Sequence, residues 1–213
     1  MAVNKPFTVS GIKVVSPKGF SKWCKVKEPE RNFNAKGTYS TLLVCNPDEP
    51  AVKLFIEKLE ELRDAAFKEA KETLKPAQAS KLIAKQVYAE EYDTEGNPTG
   101  NIEFKFKLDN VDDKQKGKNT IEVVDSQRKI IKDIPLIGNG STIRCMAYAN
   151  PYYMANGNTI GVSLLWKSMQ LIDLLEFSGA SDFDEEEGYT GTSSKDTSDY
   201  DDEEGTKEPE DDY

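Results

Sequence analysis

Residues 178–213 set the first limit on what this chain can fold into. They hold 15 of its 38 carboxylates against two lysines, with glycine, serine and threonine between them and no apolar period. A segment so charged and so poor in apolar surface cannot offset the entropy of ordering itself. It carries −13 charges in a chain whose net charge is −10, so residues 1–177 carry +3. The expected organisation is a folded domain over 1–177 followed by a disordered acidic tail over 178–213. A mildly basic body joined to a polyanion suggests an electrostatic partnership within one chain: the body suits a polyanionic ligand, and the tail imitates one.

Several function classes drop out early. Histidine is absent, which removes the commonest general base, the commonest neutral metal ligand and every Ser-His or Cys-His nucleophile. No glycine-rich phosphate loop ending in Gly-Lys-Ser/Thr occurs. Cys24, Cys45 and Cys145 are widely spaced, form no Cys-x-x-Cys pair and sit in strand-like runs, which reads as small buried hydrophobes rather than a zinc or redox site. No cofactor, metal or catalytic residue is expected, and the chain reads as a non-enzyme. No apolar run is long enough to span a membrane, and the first residues lack a signal-peptide core. The expected location is cytoplasmic.

Within the body, strands bracket one helical excursion. Phe7 to Val9 and Ile12 to Val15 flank Gly11, and residues 16–19 form a turn. In the next strand Phe20, Cys24 and Val26 are expected on the core face, with Trp23, Lys25 and Lys27 opposite. That parity puts Lys22 on the side of Cys24. A polar loop over 28–36 contains Arg31 and Phe33, and an apolar strand covers 38–45. Asn46, Pro47 and Glu49 read as a helix start, with Val52, Phe55, Leu59, Leu62 and Ala66 as the apolar stripe of a helix to about residue 74. A second short helix is expected over 77–85, making a helical insertion of about 47–86. Residues 93–100 are turn formers. Ile102, Phe104, Phe106 and Leu108 then alternate with Glu103, Lys105 and Lys107. Ile143, Cys145 and Ala147 alternate with Arg144, Met146 and Tyr148. Residues 158–175 read as a last strand with Ile160, Val162, Leu164 and Trp166 inward and an end that could be helical.

Strands, an inserted helical pair and more strands fit a mainly β fold: an OB-fold-like Greek-key barrel with an inserted α-helical segment and a disordered acidic C-terminal tail. A single nucleic-acid strand offers phosphates and bare base faces, so a sequence-tolerant binder needs aromatics interleaved with Lys and Arg on a strand surface. Trp23 with Lys22, Lys25 and Lys27, Lys105 with Lys107, and Arg144 with Tyr148 supply that combination; Tyr152 and Tyr153 lie in a loop beside Pro151. The aromatics are candidates for stacking and the cations for phosphate contacts. The same composition also suits an acidic-tailed structural or chaperone-like protein that binds basic proteins and no nucleic acid.

The runs GSTIRCMAY at 140–148, PYY at 151–153 and GVSLLWKSMQLI at 161–172 resemble the end of the barrel in phage single-stranded DNA-binding proteins of the bacteriophage T7 type. The layout is similar from about residue 5 to residue 172, including a helix inserted between strands and an acidic tail. The resemblance implies a protein that coats single-stranded DNA during phage DNA replication, recombination and repair. It further implies a tail that contacts DNA polymerase and primase-helicase, with Asp211, Asp212 and Tyr213 as partner-binding residues, and a homodimer. Where the family's tail ends in phenylalanine, this one ends in Tyr213.

Overall fold

The structure is a computed structural model describing residues 5–112 and 117–176. The acidic tail, with Asp211, Asp212 and Tyr213, lies outside the described residues. In chain order the elements are β1 Ile12–Val15, β2 Gly19–Glu30, β3 Thr38–Cys45, α1 Pro50–Thr73, α2 Pro76–Ala79, β4 Ile83–Ala84, β5 Ala89–Tyr92, β6 Pro98–Asp109, β7 Val111–Asp112, β8 Gly117–Lys118, β9 Glu122–Val124, β10 Thr142–Met154 and β11 Thr159–Asp173.

Alternation in the long strands decides the core. β6 buries Ile102, Phe104, Phe106 and Leu108, and β10 buries Ile143, Cys145, Ala147 and Ala149. Trp166 of β11 is fully buried among them. At about 2 kcal/mol per large apolar side chain, the four of β6 together rival the entire net stability of a domain. A one-residue slip would turn all four to solvent, so the register is strongly specified.

β2 pairs antiparallel with β3, β3 with β6, and β10 with β11. β11 runs parallel to β6, and β10 returns to β2 through Phe20 and Gly19. These five strands close a ring with one parallel seam, the OB arrangement. Closure depends on one long bent path. β1 pairs with β10 from Ile12 to Val15, the Ser16 amide donates to the Cys145 carbonyl at 2.8 Å, and Gly19 continues against Ile143. Beyond Phe20 the same path leaves β10 and follows β3. The barrel is therefore not cleanly closed, because the β2–β10 seam spans two residue pairs. Gly19 sits at the crossing, where a Cβ would lie 2.5 Å from the Val44 carbonyl oxygen and 2.7 Å from Cys45 Sγ.

α1 packs its expected stripe, extended by Ala70, onto the barrel; Phe55 meets Phe104 edge-on at 5.1 Å. A smaller cluster of Phe7, Ala66, Ala70, Leu82 and Ile160 joins the N-terminal segment to the far half of the helix. Among the described residues no helix is long and apolar enough to cross a membrane.

Several expectations change. The helix starts at Pro50, not beside Pro47. Asn46 instead accepts the Asp48 amide in a local turn, and a second proline suits the first helical position because its missing N–H would have no partner there. The second helix is a single turn, α2. Beyond it, Ile83 and Ala84 pair in parallel with β11, a tertiary contact that local propensity cannot report. β5 adds a short unforeseen strand against β6. β11 stays extended to Asp173. Its register against β10 shifts between Met146 and Ala147, so burial passes from Trp166 to Met169 rather than 168. Phe20, expected in the core, is 57 % exposed, while Ser21 is buried with its hydroxyl donating to the Gly138 carbonyl. The cause is a bulge at Trp23.

Candidate nucleic-acid interface

In β2 the partner of Lys22 is Leu42 and that of Lys25 is Ser40, so Trp23 and Cys24 together face Thr41 alone. The extra residue is accommodated at Trp23, whose φ is 54°, in the left-handed region. Parity inverts across the bulge: Ser21 and Val26 both point inward although five positions apart. Lys22 consequently shares the outer face with Lys25 and Lys27 rather than the side of Cys24.

The bulge also makes a groove. After β2 leaves β10, residues 139–141 run beside it. The Trp23 amide donates to Asn139 Oδ1 at 2.9 Å, the Gly140 amide to the Ser21 carbonyl at 2.8 Å, and the Ser21 amide to the Ser141 carbonyl at 2.8 Å. A cavity of about 720 Å³ lies between residues 23–28 and 135–139. Trp23, 62 % exposed, and Leu136, 58 % exposed, are its large open apolar side chains, with Lys25 and Lys27 beside them. Lys27 is 3.6 Å from Asp133, an exposed pair of little energetic weight.

Next to the groove the outer face of the sheet carries two basic rows. Lys22, Leu42 and Lys105 align across β2, β3 and β6, as do Lys25, Ser40 and Lys107. Within each row the two lysines stand two strands apart, roughly 10 Å. Lys25, Lys105 and Lys107 are exposed, and among the described residues no carboxylate pairs with them. Lys22 differs. Its Nζ is 2.9 Å from Glu103 and 3.3 Å from Glu91. The Glu103 hydrogen bond, working against partial burial, raises the ammonium above its usual value. Burial would push Glu91 up, but hydrogen bonds from Thr99, Asn101 and Lys22 outweigh it and hold the carboxyl below its usual range. Lys22 is thus largely neutralised and ties β2 to β5 and β6.

The remaining sequence candidates lie on β10, which meets β2 only at Phe20 and Gly19 and otherwise pairs with β1 and β11. Tyr148 is outward and 42 % exposed, between Lys13 of β1 and Leu165 of β11. Arg144 Nε donates to the Ser16 carbonyl at 3.1 Å. Tyr152 lies over Gly161, where a Cβ would come within 2.6 Å of the ring. Tyr153 packs against the smaller cluster, and its hydroxyl donates to Asn158 Oδ1 at 3.0 Å. The structure brings together Trp23, Lys22, Lys25, Lys27, Lys105 and Lys107, and leaves Arg144 and the three tyrosines apart from them. Sequence reasoning missed Leu136 and Asn139; a lone Leu-Ile after a proline gives no sign that it opposes a strand 110 residues earlier. The three cysteines are free. Burial pushes the Cys24 thiol up to about 11 and Cys45 to about 12, so both stay protonated near neutrality.

A family model described as the single-stranded DNA-binding protein of bacteriophage T7 matches residues 19–174, from the barrel crossing to the end of β11. The chain belongs to this family. Within it, the single-stranded DNA-binding protein of Enterobacteria phage T3 is 25 % identical over 225 residues, covering 98 % of this chain and 97 % of that protein. That of Escherichia phage T7 is 28 % identical over 177 residues, covering 78 % and 76 %. The crystal structure of the T7 protein gp2.5 superposes with a TM-score of 0.65 at 23 % identity, over 86 % of this chain and all of that one. The single-stranded DNA-binding protein of bacteriophage Enc34, solved in complex with single-stranded DNA, gives 0.52 at 14 % identity, over 81 % and 96 %. The structural matches share the OB-like architecture described above.

Proposed function

We propose that this chain is a sequence-nonspecific single-stranded DNA-binding protein supporting phage DNA replication and recombination, acting by binding and not by catalysis. The observation that carries the reading is the outer face of β2, β3 and β6. There an exposed tryptophan beside an open groove adjoins exposed lysines in register, in a chain of the T7-type family. Bases stack on Trp23 against the Leu136 wall, while Lys25, Lys27, Lys105 and Lys107 take phosphates through counterion release. Neither contact reads a base edge, so the binding tolerates any sequence. Residues 1–177 form the binding domain. The acidic residues of 178–213 compete for the same lysines, and Asp211, Asp212 and Tyr213 at the end of the tail recruit polymerase and primase-helicase when DNA frees it. The protein works in the cytoplasm of the infected host cell, as a homodimer.

Tryptophan emission tests this directly. Trp166 is fully buried and Trp23 mostly open, so quenching by a ligand reports on Trp23. Oligo(dT) is expected to quench the emission and duplex DNA to leave it unchanged, with the effect fading as salt rises. A protein that binds neither by emission nor by gel shift is an interaction protein instead.

A further inference from the structure

Phe33 is the most exposed large apolar side chain among the described residues, at 98 %, in the loop joining β2 to β3. The loop is not slack. The Gly37 amide donates to the Asn34 carbonyl at 2.7 Å, the Lys36 amide to Asn34 Oδ1 at 3.1 Å, and Asn34 Nδ2 to Thr38 Oγ1 at 3.0 Å. From across the loop, Asn110 donates its amide to the Gly37 carbonyl and its Nδ2 to the Lys36 carbonyl. Gly37 turns at φ 84°, with Pro29 where a Cβ would stand. Backbone fixed in this way presents the ring to solvent, and the ordering cost falls on folding rather than on binding. Arg31 and Lys36, both exposed, flank it.

This is the same pairing of aromatic face and cation that the groove offers, at the far end of the same strand. In OB barrels this hairpin loop borders the oligonucleotide surface. Ten positions separate Trp23 from Phe33, a reach of at most about 35 Å. We infer that Phe33 is a second base-stacking platform, which carries the bound strand from the Trp23 groove past Lys25 and Lys27 to the hairpin tip. The inference rests on the single-strand-binding reading above.

The test is anisotropy of the full chain with an oligo(dT) ladder from roughly 4 to 20 nucleotides, bracketing OB-fold site sizes. Wild type is compared with Phe33→Ala, Phe33→Leu, Phe33→Trp and Trp23→Ala, each checked for unchanged melting. Phe33→Ala and Phe33→Leu should bind the longest oligonucleotides roughly ten- to a hundredfold more weakly and the shortest as wild type does. Phe33→Trp should keep full affinity and gain a quenched emission, and Trp23→Ala should weaken at every length. Phe33→Ala binding like wild type throughout overturns the inference and gives the ring to another partner, such as a protein. Full affinity in Phe33→Leu overturns stacking as its role. Wild type failing at every length overturns the underlying reading as well.

Discussion

At the scale of single residues, Trp23 joins a conformational cost to an exposed ring. A left-handed backbone costs an L-residue about 1–2 kcal/mol, and strain of this kind persists where a site uses the geometry it creates. Trp23→Gly removes both the conflict and the ring. Its stability in a thermal melt should hold or rise by about 1 kcal/mol, while oligo(dT) affinity falls by about 1–3 kcal/mol. A glycine variant that melts lower and binds normally contradicts both assignments. Lys22 and Lys25 are neighbours on one face with opposite expected roles. Lys25→Met should make the logarithmic salt slope of DNA binding shallower by about 0.7, one phosphate's share. Lys22→Met should leave the slope alone and destabilise the fold, since it strands Glu91 and Glu103 in a partly buried site. Equal slopes for the two variants would mean that Lys22 leaves its carboxylates when DNA arrives.

At the scale of elements, the bent β1–β2 path decides where a ligand can lie. It serves β10 over its first half and β3 over its second, and the groove opens where it changes partner. Gly19 makes that crossing possible. Gly19→Ala places a methyl against the Val44 carbonyl, which cannot rotate away as a side chain tip could. A loss of about 1–3 kcal/mol is expected in urea unfolding, together with weaker oligo(dT) binding as the groove wall shifts. An alanine variant of wild-type stability would show that the crossing relaxes freely. The alternation in β6 and β10 was readable because period 2 ties every residue to a face. In β2 it misled from Phe20 to Lys22, because one bulged residue reverses parity without any mark in composition.

At the scale of the whole molecule, the proposed competition rests on the division of charge, −13 over residues 178–213 against +3 over residues 1–177. A tethered polyanion has a high effective concentration at a basic groove. Deleting residues 178–213 should therefore tighten oligo(dT) binding, most at low salt and progressively less toward 1 M, where the Debye length is about 3 Å. Equal affinity of the full chain and 1–177 at low salt removes the tail from competition and leaves it a role with protein partners alone.

The sequence by itself determined the charge division, the barrel-forming strands and the main helix, with Phe104, Phe106 and Trp166 in the core. Each of these follows from local composition or from a period that the chain repeats along its own length. Only the tertiary structure decided that Trp23 stands on a bulge, that Leu136 lines the same groove, that Lys22 is held by two carboxylates and that Tyr148 looks out between β1 and β11. Those facts depend on which strands meet and in what register. Pairings between residues more than a hundred positions apart leave no trace in either neighbourhood, because the energy that selects them belongs to the assembled sheet and not to any segment of it.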